Sequence, residues 1–227
     1  MNRARKGTRK GICTYCGREA ELTDDHIPPK SLFPKSLWGR LLKIPSCHEC
    51  NGGASKDDEY LRTMIGLSAK SERDGILQPL SDATARALAR PEAERFAKSI
   101  LNTVHGTFVP TPSGIIVPAF FGTVDLDRLD LVTARIIKGI FYTERGMRLP
   151  SDYRVVTYSM EGLKCVPKSV GRQLKAIIEA LIVREPKLIG GTQFLYWSDY
   201  NPDDYNQSMW LLVVHRHHFF IGWTVPT

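Results

Sequence analysis

The chain has 227 residues, of which 42% are hydrophobic and 24% charged, and its formal net charge at pH 7 is +7. This composition is typical of a soluble globular protein with one large or two small domains. No apolar run approaches the roughly 20 residues that cross a bilayer, and no apolar segment follows the basic N-terminus. We therefore expect neither a membrane span nor a secretion signal, and a location in the cytoplasm or a nucleoid-like environment.

The positive charge is concentrated near the N-terminus. Residues 1–56 contain eleven Lys and Arg against five Asp and Glu, whereas the other 171 residues contain twenty against nineteen. Because a polyanion is the natural partner of such a surface, this pattern predicts nucleic-acid binding by a basic arm, residues 1–11. A tail that only aids solubility is the alternative. The candidate phosphate-binding residues of the arm are Arg3, Arg5, Lys6, Arg9 and Lys10.

Four of the five cysteines form two CxxC pairs about thirty residues apart, and Cys165 stands alone. In a chain without a secretion signal, this spacing indicates metal binding rather than disulfides. Zinc takes four tetrahedral ligands, so four thiolates complete a structural site and supply folding free energy to a module too small for a large core. We predict one structural Zn²⁺ held by Cys13, Cys16, Cys47 and Cys50.

Two short strands and a helix are predicted around the cysteine pairs. The apolar stretches Glu21–Ile27 and Leu41–Pro45 favour strands, and a helix is expected to begin at Ser55, where acidic residues fill the first turn. The local order is therefore strand, loop, strand, helix.

Three residue types suited to phosphodiester hydrolysis are found in this segment. Asp25 and His26 lie between the cysteine pairs, and Asn51 directly follows the second pair. A hard divalent cation prefers carboxylate and carboxamide oxygens, and a neutral imidazole can deprotonate an attacking water. The segment thus carries the parts of a metal-dependent hydrolytic site.

The sequences DDHIPPKSLFP and IPSCHECNGGASKDDEYLR closely resemble the HNH, or ββα-metal, endonucleases, in the branch with a zinc-binding pair of CxxC motifs. The resemblance covers residues 12–62. It implies a ββα-metal fold, with Asp25 and Asn51 as ligands of a catalytic Mg²⁺ or Mn²⁺ and His26 as the general base.

The sequence departs from this pattern in two respects. Strand alternation places Asp24 and His26 on one face and Asp25 on the other. We follow the resemblance and assign Asp25, because the strand must end at the prolines and alternation can fail there; Asp24 is the reserve ligand. The stretch WGRLLKIPSC also lacks the central Asn of many members. That Asn orders the loop before the second CxxC pair, so its absence affects the support of the loop more than the metal chemistry. Lys56 and Arg62, on the helix after the motif, are further candidate phosphate contacts.

The rest of the chain predicts an α+β domain. In chain order we expect a helix over Ser81–Asn102 that restarts at Pro91, a strand over Ile115–Phe121, a helix capped by Asp125, a strand over Arg154–Met160, a helix over Lys168–Val183, and closing strands Thr192–Trp197 and Met209–Trp223. The predicted fold class is α+β, with a zinc-stapled HNH module over residues 12–65 followed by a mixed α+β domain, 66–227, of unknown role in target selection or regulation.

Three functions remain open from the sequence. The first is an HNH endonuclease that hydrolyses DNA, most naturally double-stranded DNA. The second is a zinc ribbon that binds nucleic acid without catalysis, which would have no need of Asp25, His26 and Asn51. The third is an RNA-directed nuclease using the same site, because the metal and base chemistry does not depend on the sugar.

Overall fold

Three antiparallel sheets form in residues 9–68, 77–159 and 167–227, the parts of the chain that the computed structural model describes. The strands are β1 (Arg9–Ile12), β2 (Glu19–Ile27), β3 (Leu42–Cys47), β4 (His105–Pro110), β5 (Ile116–Phe121), β6 (Tyr153–Ser159), β7 (Lys187–Ile189), β8 (Phe194–Asn201), β9 (Asp204–Val214) and β10 (His218–Pro226). The α-helices are α1 (His48–Gly53), α2 (Ser55–Gly66), α3 (Gln78–Leu88), α4 (Glu94–Leu101), α5 (Leu126–Arg145) and α6 (Lys168–Ile182). The mixed α+β class is therefore as predicted.

The N-terminal sheet has the strand order β1-β2-β3. The two predicted strands of this segment are confirmed, and α2 begins at Ser55 as expected. A further short helix, α1, begins directly after β3, where Cys47 is the N-cap and its side chain accepts a hydrogen bond from the backbone N–H of Cys50. The sequence from β2 to α2 thus forms a strand hairpin followed by helices.

The five-stranded sheet has the order β6-β10-β9-β8-β7 and carries a helix on each face. Leu211 and Val213 of β9 pack with Leu181 of α6. The alternate residues Trp210 and Leu212 of β9 face the opposite side, because side chains alternate along a strand. That second face is covered by α5.

Two glycines allow α5 to approach both sheets closely. A Cβ at Gly222 of β10 would lie 2.4 Å from Ile137 Cδ1 of α5. A Cβ at Gly139 of α5 would lie 2.6 Å from Ile27 Cγ1 of β2. Since Ile137 and Ile27 are themselves buried, a larger residue at either position would separate α5 from a sheet. Helix α5 is therefore packed against the β2–β3 hairpin as well as the five-stranded sheet.

One predicted strand, Met209–Trp223, is wrong in its extent. It is two strands, β9 and β10, which pair with each other across a turn. His215 and Arg216 adopt φ values of 49° and 64° there, which reverses the chain, although neither is the glycine that usually marks such a conformation. Conversely, the turn-rich segment before Met209 is mostly strand, because β8 extends to Asn201 and β9 begins at Asp204.

The described chain divides into two compact units. One comprises the residues up to Arg62 together with those from Leu126 onward, and the other comprises Thr63–Asp125. This grouping differs from the predicted division at residue 65, because α5 packs on the β2–β3 hairpin and joins the C-terminal sheet to the N-terminal module. The second unit contains α3, α4 and the β4–β5 hairpin, and Pro91 begins a 3-10 helix between α3 and α4, as the predicted restart requires. Within the described residues, no helix has the length and apolarity to cross a membrane.

Candidate metal centre and active site

The four cysteines of the CxxC pairs come together beside the start of α1. Their sulfur atoms all lie within 4.8 Å of one another. Tetrahedral zinc with Zn–S bonds of about 2.3 Å places its sulfurs about 3.8 Å apart, and Cys16 and Cys47 Sγ are separated by 3.9 Å. In the described residues, no other group of three or more His, Cys, Asp or Glu side chains is arranged to hold one ion. The cluster is compatible with a structural zinc site.

The surroundings of Cys13 and Cys16 favour the thiolate, the form that binds metal. The backbone N–H of Cys47 donates to Cys13 Sγ at 3.3 Å. The Arg18 guanidinium donates to Cys16 Sγ at 3.5 Å and lowers the pKa of Cys16 to about 6. Burial beside the other sulfurs raises the pKa of Cys50, a penalty that a bound cation would remove.

The β2–β3 hairpin presents Asp25 and His26 on opposite faces. The pairing register is unbroken from Leu22 opposite Cys47 to Ile27 opposite Leu42. Strand alternation therefore continues up to the prolines, contrary to the expectation that it fails there, and Asp24 shares the more exposed face with His26. Asp25 lies on the buried face, where α5 packs.

The buried carboxylate of Asp25 is held by two donors on a single oxygen. Tyr15 Oη donates to Oδ2 at 2.6 Å, and Arg135 Nη2 of α5 donates to the same atom at 2.5 Å. No group in the described residues donates to Asp25 Oδ1. Burial raises the pKa of Asp58, which also pairs with Arg135, to about 6 against the opposing effect of the guanidinium. Asp25 is thus fixed in orientation through one oxygen while the other is left for a further partner.

Asn51 lies on the same side of the hairpin as Asp25. Its Nδ2 donates to Thr23 Oγ1 at 2.9 Å and to the Asp24 carbonyl oxygen at 3.5 Å. Thr23 shares the face of Asp25 by strand alternation. The carboxamide oxygen of Asn51 accepts no hydrogen bond from the described chain. Asp25 Oδ1 and this oxygen are both hard donors of the kind that Mg²⁺ or Mn²⁺ prefers.

His26 is half-buried and lies near two lysine side chains. It pairs across the hairpin with Lys43. Burial lowers the pKa of His26, as do the charges of Lys30 and Lys43, against a smaller opposing effect of Asp25 and Asp24. The imidazole is therefore neutral near pH 7 and able to accept a proton, while the two lysines supply positive charge beside it.

The predicted phosphate contacts differ in their availability. Arg9 and Lys10 lie on β1 and are exposed, and Lys56 is exposed on α2. The side chain of Arg62 is only 15% exposed and lies 3.8 Å from Glu59, which leaves it less available to a ligand. Arg3, Arg5 and Lys6 lie outside the described residues, as does Cys165.

The sequence-based prediction missed the residues that hold Asp25. Tyr15 lies within the first CxxC turn, and Arg135 interrupts the apolar stripe of α5, a signal that marks it as unusual without naming its partner. Lys30 and Lys43 were also missed, because a lysine on the far strand becomes relevant to His26 only once the register is known. Each of these roles depends on a contact between segments distant in the chain.

Replacing Arg135 with methionine should destabilise the protein by about 3–5 kcal/mol, because it leaves two buried carboxylates without their counter-ion. The side chains of Arg135, Asp25 and Asp58 are only 12%, 8% and 19% exposed. Urea unfolding followed by circular dichroism measures the loss. Lys175→Met is the matched control, because it removes a surface ion pair whose lysine is 76% exposed, and we expect it to cost less than about 1 kcal/mol. Equal losses in the two proteins would contradict the assigned role of Arg135.

Comparison with known proteins finds no family model, no curated protein and no solved structure that matches this chain.

Proposed function

We propose that the protein is a metal-dependent HNH-type endonuclease that hydrolyses phosphodiester bonds in DNA. The observation that carries the proposal is the placement of Asp25 and His26 at the end of β2, with Asn51 held against that strand from α1. These elements give the strand, strand and helix order that the resemblance implies. The cysteine cluster lies beside the start of α1 and would bind Zn²⁺ as a structural ion.

Asp25 and Asn51 would hold the catalytic Mg²⁺ or Mn²⁺. Each keeps one oxygen without a hydrogen-bond partner among the described residues, and both are positioned by other contacts, Asp25 through Tyr15 and Asn51 through Thr23. Such outer contacts orient metal ligands and support their affinity. When bound, the ion would polarise the phosphate and stabilise the leaving oxygen.

His26 would act as the general base. Its lowered pKa keeps the imidazole neutral near pH 7, so it can take a proton from the attacking water. Lys30 and Lys43 stand beside it and would attract the scissile phosphate. The exposed cations Arg9, Lys10 and Lys56 extend the positive surface along a polyanion, with double-stranded DNA as the expected substrate and RNA as the alternative.

A nucleic-acid-binding protein without catalysis is the second candidate. The observation that favours it is the salt bridge between Asp25 and Arg135 at 2.5 Å, which places a fixed positive charge next to the proposed metal ligand. Such a protein would use the same basic surface and zinc site but would not need a neutral imidazole at the strand end.

Incubation of supercoiled plasmid with the pure protein tests the proposal. We expect nicked or linear DNA with Mg²⁺ or Mn²⁺, and none when no divalent cation is added. A structured RNA in a parallel reaction distinguishes the two substrates. If the protein binds DNA but cleaves no nucleic acid under any of the metal conditions, the nuclease proposal is wrong and the non-catalytic binding protein is the better proposal.

A further inference from the structure

A cavity of about 400 Å³ lies beside the cysteine cluster. Its walls come from β1, β2 and the end of α5, all in the same compact unit. The volume falls within the range of small-molecule sites. None of the contacts described for Asp25, Asn51 or His26 uses this cavity.

Three cations line the cavity, and no carboxylate does. They are Arg9, Lys10 and Arg148. In the described part of the chain, the half-buried Arg148 has no hydrogen bond or ion pair, and Arg9 Nη2 lies 3.8 Å from Oδ1 of Asp24. Gly17, with φ 71°, makes room for Arg148, because a Cβ there would lie 2.6 Å from its Cζ. Arg148 and Lys10 therefore place positive charge at the cavity without a counter-ion among the described residues, whereas Arg9 has a long ion pair with Asp24.

A buried hydroxyl also lies in the cavity wall. Thr14 is only 4% exposed, and its Oγ1 finds no hydrogen-bond partner within the residues that the structure describes. Its backbone N–H donates to the Pro45 carbonyl oxygen at 3.0 Å, which fixes its position. An unsatisfied buried hydroxyl costs free energy, so a ligand atom that accepted a hydrogen bond from Thr14 would lower that cost.

The remaining wall is apolar. It includes Ile12, which is 53% exposed, together with Leu22, Pro45 and the ring of Tyr142. Inorganic phosphate would use the cations and leave this surface uncovered. A nucleoside phosphate matches both halves, since its phosphate suits guanidinium groups and its base is a flat ring that packs on apolar and aromatic side chains.

We propose that this cavity binds a nucleoside phosphate, with the phosphate on Arg148, Arg9 and Lys10 and the base against Ile12 and Tyr142. The ligand is a free nucleotide or the terminal nucleotide of a strand. The second source rests on the proposed nuclease function, the first does not. Leu22 shares the hairpin face of His26 and precedes it by four residues, about 13 Å along the strand. A strand end in the cavity would therefore extend toward His26.

Titration calorimetry with 5′-AMP, inorganic phosphate and a twelve-nucleotide single strand, with and without a 5′-phosphate, tests the proposal. The His26→Ala protein is used without added Mg²⁺ or Mn²⁺, so the result does not depend on cleavage. We expect AMP to bind and inorganic phosphate to bind at least tenfold more weakly. Tighter binding of the phosphorylated strand than of AMP identifies a strand end, and equal or weaker binding identifies a free nucleotide.

Variants of the cavity cations decide whether the binding belongs to this site. Arg148→Gln should weaken AMP binding about tenfold or more, as loss of a charge-assisted hydrogen bond does. Lys10→Gln, at an exposed position where folding is not at risk, should weaken it in the same direction. Arg172→Gln, on the exposed surface of α6, is the control and should change nothing. No AMP binding by the parent, or equal binding by the parent and both cavity variants, would overturn the proposal.

Discussion

Replacing His26 with alanine should lower the rate of DNA cleavage on the order of 10²–10⁴-fold, the usual cost of a lost general base. The fold should survive, because His26 is only half-buried and the described contacts that join the hairpin to α5 run through Asp25 and Ile27 on the other face. DNA affinity should be nearly unchanged, since Lys30 and Lys43 remain beside the site. The rate of plasmid nicking with Mg²⁺ and a filter-binding affinity, measured on the same preparations, check both expectations.

His105→Ala is a matched control for this variant. His105 is an exposed histidine on β4, in the other compact unit, and its loss should leave cleavage unchanged. A His26→Ala protein that cuts as fast as the parent would show that the base has been wrongly assigned. In that case Asp24, which shares the face of His26, becomes the residue to replace next.

The parts of the site that depend on local spacing could be predicted from the sequence. Two CxxC turns thirty residues apart predict a four-sulfur cluster, and the structure brings the four sulfurs together. Alternation along a short strand also places Asp25 and His26 on opposite faces; the expectation that it fails before the prolines was wrong, because the register is unbroken as far as Ile27. Both inferences use geometry that residues close in the chain determine by themselves.

The parts that depend on packing between distant segments could not be predicted. Arg135 is 110 residues from Asp25, and nothing in the pattern around either residue names the other. The turn between β9 and β10 was missed for a related reason, because His215 adopts a left-handed conformation with its ring 2.9 Å from the Leu32 carbonyl oxygen, a tertiary contact. The sequence-based division placed α5 in a separate C-terminal domain. Nothing near Gly139 indicates that the missing side chain there lets the β2–β3 hairpin pack against α5.

The Arg135 contact changes the role expected for the C-terminal part of the chain. A positively charged group on α5 fixes the orientation of the proposed metal ligand, so the five-stranded sheet that supports α5 also supports the candidate site. The residues that hold Asp25 then come from both parts of the chain, and a role of residues 66–227 in target selection or regulation stays a prediction. Because Tyr15 lies in the first CxxC turn, loss of order at the cysteine cluster would also disturb its hydrogen bond to Asp25.

Replacing Cys47 with serine should remove the zinc and unfold the N-terminal sheet. The buried cluster around the sulfurs is small, comprising Cys13, Leu22 and Cys47 with three partly buried neighbours. The contacts with α5 lie on the other face of the hairpin and do not replace this cluster, and structural zinc supplies about 10–16 kcal/mol in small zinc-binding peptides. That is as large as the net stability of a whole domain, which is usually about 5–15 kcal/mol. We therefore expect the loss of the site to cost most of the order in β1–β3.

Elemental analysis and hydrogen exchange measure this outcome together. The parent should carry about one zinc per chain, and Cys47→Ser should carry none and lose amide protection in β2 and β3. Strands β9 and β10 should keep more of theirs, because Trp210 and Leu212 of β9 remain buried under α5 and β10 pairs with β9. Cys165→Ser, which changes the cysteine outside the two pairs, should retain both the zinc and the protection. One zinc per chain and a protected β2 in the Cys47→Ser protein would show that the cluster is not the metal site, since a tetrahedral thiolate site loses its closed geometry with any one of its four sulfurs.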